Sequence, residues 1–321
     1  MSNTPTSSSP QLAPFMRAFE PPRLEAPSPR EAYLLARSLD RQRSPQTQVG
    51  HRVYWMTKGS FGSCEIAAGR LSSLVVGSHP LCDVRLFEDP TVELRHLLIR
   101  SSALDDGCPL LSVVDLHTAQ GFFLSNGACE RAIDATGVIV LRVGAYAIVA
   151  LPSGVSLAEE MPEPVCRAMA ASPYRIANIP PELYAMKIDK GSRITLLPRI
   201  VDFADSRIPT VGEEAYDIAM TSRAGARLLR VAGDDLRKGI LVGRSLNCDP
   251  LLRAIVDGGT SRGHLLLMKD RAGAVAYDMS STQGTYFCGR RMRAIELSDS
   301  GTVMTMGTTN PISLVWRRTG A

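Results

Sequence analysis

Three small polar clusters lie between residues 243 and 285 and carry side chains suited to binding an anion. The first is Gly243-Arg244-Ser245. The second is Thr260-Ser261-Arg262, with His264 two residues on. The third is Ser280-Ser281-Thr282-Gln283-Gly284-Thr285. Together they offer a fixed guanidinium, several hydroxyls and backbone N–H groups. Such a set suits a dianionic phosphate, because charge-assisted hydrogen bonds are shorter and stronger than neutral ones. Between the clusters, the runs ILVG, LLLM and VAY are short and rich in bulky aliphatic side chains, as strands are. The clusters therefore fall on loops, and a β-sandwich that gathers those loops at one end would make a single site.

The order GR, then S-x-x-H, then S-x-N-G-T with a further glycine, is the pattern of forkhead-associated (FHA) domains. This chain resembles that family at Gly243-Arg244, at Ser261-Arg262-Gly263-His264 and at Thr282-Gln283-Gly284-Thr285, with Gly289 closing. The resemblance implies an eleven-stranded β-sandwich without catalytic activity that binds phosphothreonine peptides through loops at one end. On that reading Arg244 meets the phosphate, since a guanidinium stays charged and its fork matches phosphate oxygens. Ser245 lies beside it. Ser261 donates its hydroxyl and backbone N–H, and Thr282 lines the pocket or caps its loop. Arg262 is either a second cation or a solvated side chain. Gly243, Gly284 and His264 are structural, the histidine buried under the loop and bonded to backbone. Gln283 stands where the family usually has Asn, with the same amide chemistry one methylene further out.

The pattern occurs twice. Gly77-Ser78-His79-Pro80-Leu81-Cys82-Asp83 shares glycine, cysteine and aspartate with Gly243-Arg244-Ser245-Leu246-Asn247-Cys248-Asp249. Val92-Glu93-Leu94-Arg95-His96 aligns with Thr260-Ser261-Arg262-Gly263-His264, and Asp115-Leu116-His117-Thr118-Ala119-Gln120-Gly121 with Asp278-Met279-Ser280-Ser281-Thr282-Gln283-Gly284. A whole domain is duplicated. The first copy has Ser78 for the arginine and Glu93 for the serine, which removes the cation and adds a like charge against a phosphate. It is expected not to bind phosphothreonine. The segment between aspartate and serine is also longer in the second copy, with eleven residues after Asp249 against nine after Asp83.

Composition limits the alternatives. A net charge of +4 over 321 residues, with basic residues scattered, makes no case for nucleic-acid binding. No apolar run reaches membrane-spanning length, and no basic head with an apolar stretch marks a secretory leader. Seven cysteines without C-x-x-C spacing suggest reduced thiols and a cytoplasmic setting, with no metal or cofactor expected. The metalloprotease and nucleotide-binding motifs H-E-x-x-H and G-x-x-x-x-G-K-[ST] are absent, and no enzyme activity is expected.

The expected architecture is all-β, with two FHA-like sandwiches of about eleven strands each. Residues 1–49 form a Ser/Thr/Pro-rich disordered tail and a short helix from Pro29 to Gln42, capped by Ser28, that packs on the first domain or docks elsewhere. Residues 50–152 form the degenerate copy and 216–317 the second. The Pro-rich connector, 153–215, offers a broken helix at 159–169 and extended pieces at 193–203, and would pack between the sandwiches. The dipeptides Thr4-Pro5, Ser9-Pro10, Ser28-Pro29 and Ser44-Pro45 read as linker or as phosphorylation sites. A phosphorylated Thr4 or Thr6 on the tail would support self-association. The function implied is a phosphothreonine-dependent adaptor whose partner is a phosphorylated protein or a Ser/Thr kinase. The alternative is a phosphate-independent scaffold.

Overall fold

Runs of aliphatic and β-branched residues interrupted by glycine turns favour strands over helices throughout the chain. In the computed structural model the described residues are 25–154, 157–161, 165–168, 214–246, 248–270 and 272–319. The tail bearing Thr4 and Thr6, and the run at 193–203, lie outside them.

The first sandwich contains β1 (Gly50–Met56), β2 (Phe61–Ala67), β3 (Ser73–Gly77), β4 (Val84–Arg85), β5 (Leu97–Ala103), β6 (Pro109–Asp115), β7 (Phe122–Leu124), β8 (Cys129–Glu130), β9 (Ala132–Thr136), β10 (Ile139–Val143) and β11 (Tyr146–Pro152). One sheet has the order β2-β1-β11-β10-β7-β8. The other, β9-β6-β5-β3-β4, gains β12 (Val165–Ala168) at its edge. The core between them is aliphatic, with Val53, Ile148 and Leu141 on one sheet facing Val76, Ile99 and Val113 on the other.

The outer face of β1, β10 and β11 is closed by helix α1 (Pro29–Arg41). Ser28 caps it. Its Oγ accepts from the Glu31 amide at 3.3 Å, and the Glu31 carboxylate accepts from the Ser28 amide at 2.8 Å, a reciprocal capping box. Ala32, Tyr33 and Ala36 then pack on Tyr54, Val140 and Val149. Of the two sequence alternatives for this helix, the structure takes packing on the first domain.

The second sandwich contains β13 (Ala215–Ser222), β14 (Gly225–Ala232), β15 (Ile240–Val242), β16 (Leu265–Asp270), β17 (Gly273–Asp278), β18 (Thr285–Phe287), β19 (Arg290–Met292), β20 (Ala294–Leu297), β21 (Thr302–Met306) and β22 (Ile312–Thr319). Its sheets are β14-β13-β22-β21-β18-β19 and β15-β16-β17-β20. Two short helices appear that the strand reading passed over. One, α2 (Gly233–Lys238), sits between β14 and β15. The other, α3 (Pro250–Arg253), fills the longer loop after Asp249, whose side chain caps it at the Leu252 amide.

The broken helix expected at 159–169 is corrected: Val165–Ala168 is a strand paired antiparallel with β9. Prolines at 162 and 164 in the sequence disfavour a continuous helix interior, and the open edge of β9 offers ladder partners instead. The described part of the connector also lies on the outside of the first sandwich, where Leu157 and Met161 pack beside α1 and the Ala158 carbonyl accepts from the Tyr33 hydroxyl at 2.6 Å. It does not separate the sandwiches, which touch directly.

Their contact uses the same face of each copy. The cross-strand row Val75, Leu98, Val114, Ala132 meets the row Leu241, Leu266, Tyr277, Ala294, together with Cys82, Leu116, Cys248 and Met279. These are equivalent positions in the repeat. Polar contacts fasten the rim. Arg100 pairs with Asp270 and lies over the Tyr277 ring, 5.2 Å from its centroid. The Tyr277 hydroxyl donates to the Arg70 carbonyl at 3.1 Å, and Arg293 pairs with Asp83 at 2.5 Å.

Because Leu98 is fully buried in this inter-sandwich layer, Leu98→Ala should lower the free energy of unfolding by about 2–5 kcal/mol in denaturant titrations. A loss below about 1 kcal/mol would contradict the packing described.

Candidate functional site

Glycine at 243 lets two loops meet. A Cβ there would stand 2.2 Å from the Arg262 carbonyl oxygen, and at Gly77 one would stand 2.4 Å from that of Leu94. The close approach allows the Arg244 and Ser245 amides to donate to the Ser261 and Arg262 carbonyls at 3.2 and 2.9 Å. In the first copy the Ser78 and His79 amides donate to Glu93 and Leu94 at 2.9 and 3.0 Å.

His264 binds the third loop to the second. Its Nδ1 accepts from the Ser261 amide at 3.4 Å, and its Nε2 faces the Gly284 carbonyl at 3.1 Å. An acceptor at one nitrogen and a donor at the other define a neutral imidazole. Burial holds its pKa below the ordinary histidine value, against the pull of Asp278. His96 repeats the arrangement with Glu93 and Gly121 at 3.2 and 2.8 Å.

Asp278 braces the third loop from within. Its carboxylate accepts from the Ser281 amide at 2.7 Å, the Ser281 hydroxyl at 2.5 Å and the Thr285 hydroxyl at 2.7 Å. Asp115 accepts from the Thr118 amide and hydroxyl in the same way. Gly284 turns the chain at φ 78°, a conformation that disfavours any side chain.

On this frame the second copy places its polar side chains at one end of the sandwich. Arg244 and Thr282 are exposed, Ser245 and Arg262 half-buried, and Ser261 buried. The Ser261 Oγ accepts from the Thr282 amide at 3.0 Å, which leaves its own O–H to donate. The expectation that the Ser261 amide would also be offered is corrected, since His264 takes it. Gln283 is half-buried and its side-chain oxygen accepts from the Thr308 and Thr309 amides at 3.1 and 3.3 Å, between β21 and β22, so only its NH2 remains for other contacts.

The first copy keeps the frame and reverses the chemistry. Ser78 is buried, and the Glu93 carboxyl takes the place of the Ser261 hydroxyl, accepting from the Ala119 amide at 3.3 Å. Burial pushes its pKa up to about 7, although Arg131 and Arg262 pull it down.

Sequence reasoning missed three supports: Asp278, Arg291 and Arg95. The aspartate was visible as a shared position in both copies. Arg291 donates to the Ser281 carbonyl at 2.8 Å. Arg95 of the first sandwich donates through Nε to the Met279 carbonyl and through Nη2 to the Ser280 carbonyl, the latter at 2.7 Å. No local motif signals a bond that spans 185 positions. Among the described residues no group of His, Cys, Asp and Glu could hold a metal ion, and no helix is long and apolar enough to cross a membrane.

Residues 240–307 match the family model described as the FHA domain, so the resemblance read in the second copy holds; the match does not extend to the first. Among solved structures, FHA-1 of Mycobacterium tuberculosis Rv1747 is similar at 23% identity, covering 32% of this chain and 96% of that one, with a TM-score of 0.25. A domain solved in a structural and functional analysis of phosphothreonine-dependent FHA interactions is 24% identical, covering 33% and 99%, with a TM-score of 0.27. The yeast Dun1 FHA domain, solved with a doubly phosphorylated peptide derived from Rad53, is 17% identical, covering 47% and 94%, with a TM-score of 0.29. No curated protein matches the chain.

The buried Glu93 gives a pH signature. Its folded pKa is raised above the unfolded value, so its contribution is complete below the unfolded pKa and is lost as pH rises through about 7. Glu93→Gln keeps the acceptor for the Ala119 amide without the charge. The variant should match the parent in acid and exceed its stability by roughly 1–3 kcal/mol above neutrality. Denaturation across that range checks this, and a pH-independent difference would contradict it.

Proposed function

We propose that this chain is a cytoplasmic phosphothreonine-dependent adaptor in Ser/Thr kinase signalling, an interaction module and not an enzyme, and that the second sandwich makes the contact. The observation that carries this reading is the divergence of two copies on one hydrogen-bond frame. The second copy presents an exposed guanidinium, Arg244, beside a buried hydroxyl, Ser261. The first presents a buried serine, Ser78, beside a carboxyl, Glu93. A phosphothreonine carries about −1.5 to −2 charge at neutral pH. It is attracted to the guanidinium of the second copy and repelled by the carboxylate of the first. Arg262 and Ser245 flank the Arg244 loop and are assigned to the same contact. Thr282 is assigned to the lining of the same contact.

Gln283 favours a second reading, a phosphate-independent scaffold. Its oxygen is committed to the Thr308 and Thr309 amides. A peptide backbone would meet only the NH2.

The experiment is binding of the full chain to a degenerate phosphothreonine peptide library, with matched unphosphorylated peptides. Hydrogen bonds to charged groups contribute about 1.5–3 kcal/mol each. Arg244→Ala should therefore weaken a selected phosphopeptide by about 10- to 100-fold or more, since each 1.4 kcal/mol is about tenfold. Phosphate-dependent binding that persists in Arg244→Ala would remove this site from consideration, and equal binding of both peptide forms would favour the scaffold.

A further inference from the structure

The first sandwich has lost the phosphate chemistry, yet it sends one side chain into the loop that the second would use. Arg95 donates to two successive carbonyl oxygens, those of Met279 and Ser280. The next carbonyl, that of Ser281, is taken by Arg291. Three consecutive peptide planes are therefore held by guanidiniums on their oxygen side.

Two of those planes are also held on their N–H side. The plane that carries the Ser280 carbonyl carries the Ser281 amide, which donates to Asp278. The plane that carries the Ser281 carbonyl carries the Thr282 amide, which donates to Ser261. A peptide unit is rigid and planar, so Arg95 and Asp278 fix one plane from opposite edges, and Arg291 and Ser261 fix the next. Ser280 itself sits at φ 52°, a conformation that costs energy for any residue with a Cβ. The orientation of the Ser261 hydroxyl depends on the Thr282 amide that it accepts. Arg95 stands one plane upstream of that contact.

The contribution is asymmetric. The second copy has Gly263 where the first has Arg95. Arg95 reaches the loop across the contact between the sandwiches, so the loop receives this support only while the two copies are docked.

We propose that Arg95 is a positioning residue for the second copy's binding loop, and that the unit which recognises a phosphothreonine ligand is the docked pair of sandwiches and not the second copy alone. The inference rests on the phosphothreonine reading of the site for its ligand, while the clamp itself is a separate claim about the loop.

The test uses the full chain as wild type, Arg95→Ala and Arg95→Lys. Affinity for a library-selected phosphothreonine peptide is one readout. Amide hydrogen exchange at Ser281 and Thr282, compared with exchange in β16, is the other. Arg95→Ala should lose about tenfold in affinity, near the value of one charge-assisted bond. It should speed exchange at Ser281 and Thr282 and leave β16 protected. Arg95→Lys, a point charge that cannot span both carbonyls, should fall between the two. Unchanged affinity and loop protection in Arg95→Ala would overturn the proposal. So would exchange that rises equally through the whole second sandwich, since that marks simple loss of docking stability. If the wild type binds no phosphopeptide, the phosphothreonine reading falls, and the exchange data alone decide the clamp: selective loss at Ser281 and Thr282 upholds it, and retained protection overturns it.

Discussion

A neutral imidazole ring joins the loop that carries Ser261 to the loop that carries Gly284, and the braces of Ser261 and Asp278 lie on either side of it. The His264 ring must accept at one nitrogen and donate at the other. Protonation would remove the acceptor and place a charge in a fully buried position, a costly change. Burial keeps the ring uncharged. Once the two loops are joined, the Thr282 amide can reach Ser261, and the buried hydroxyl of that serine keeps its own O–H to donate. Asp278 and Gly284 then set the turn. The frame runs from a few buried side chains to backbone groups, so it tolerates changes in the other side chains that it presents.

The first sandwich demonstrates that tolerance. His96 makes the same two bonds, Asp115 braces the same turn, and Gly77 permits the same close approach. Only the presented chemistry differs, with Glu93 and Ser78 in place of a hydroxyl and a guanidinium. What this copy retains is the face used for docking. The row of aliphatic and aromatic residues across β3, β5, β6 and β9 meets its own duplicate across β15, β16, β17 and β20. The two copies therefore behave as an isologous pair joined in one chain, with the same patch used on both sides. Buried cysteines at equivalent positions, Cys82 and Cys248, donate to the Leu94 and Arg262 carbonyls, and burial pushes both thiols up, to about 11 and about 12. Their chemistry at this contact is that of small apolar side chains.

Much of this was legible in the sequence. The strands were, because short aliphatic runs between glycine turns leave few alternatives. The duplication was, because Gly, Cys and Asp recur in one seven-residue frame. The helix from Pro29 was, because Ser28 offers a cap and Pro29 a first helical position ahead of apolar residues at helical spacing. What escaped depended on distant partners. The strand at Val165–Ala168 forms because β9 offers an edge, a fact that no local pattern carries. The helix α3 needed only Asp249 and Pro250, a cap and a first-turn proline that were present but overshadowed by the strand pattern around them. The motif places Gln283 where the family usually has Asn, but nothing local signals that its oxygen accepts from the Thr308 and Thr309 amides. Arg95 looked like an ordinary charged residue next to a motif, and its role appears only when the second sandwich is set against the first.

The most direct test of the account is the amide chemical-shift response of the full chain to a library-selected phosphothreonine peptide and to its unphosphorylated form. The account predicts phosphate-dependent shifts centred on Arg244, Ser261 and Thr282, with none at the equivalent Ser78, Glu93 and Ala119. Shifts of equal size in both copies, or the same response to both peptides, would contradict it.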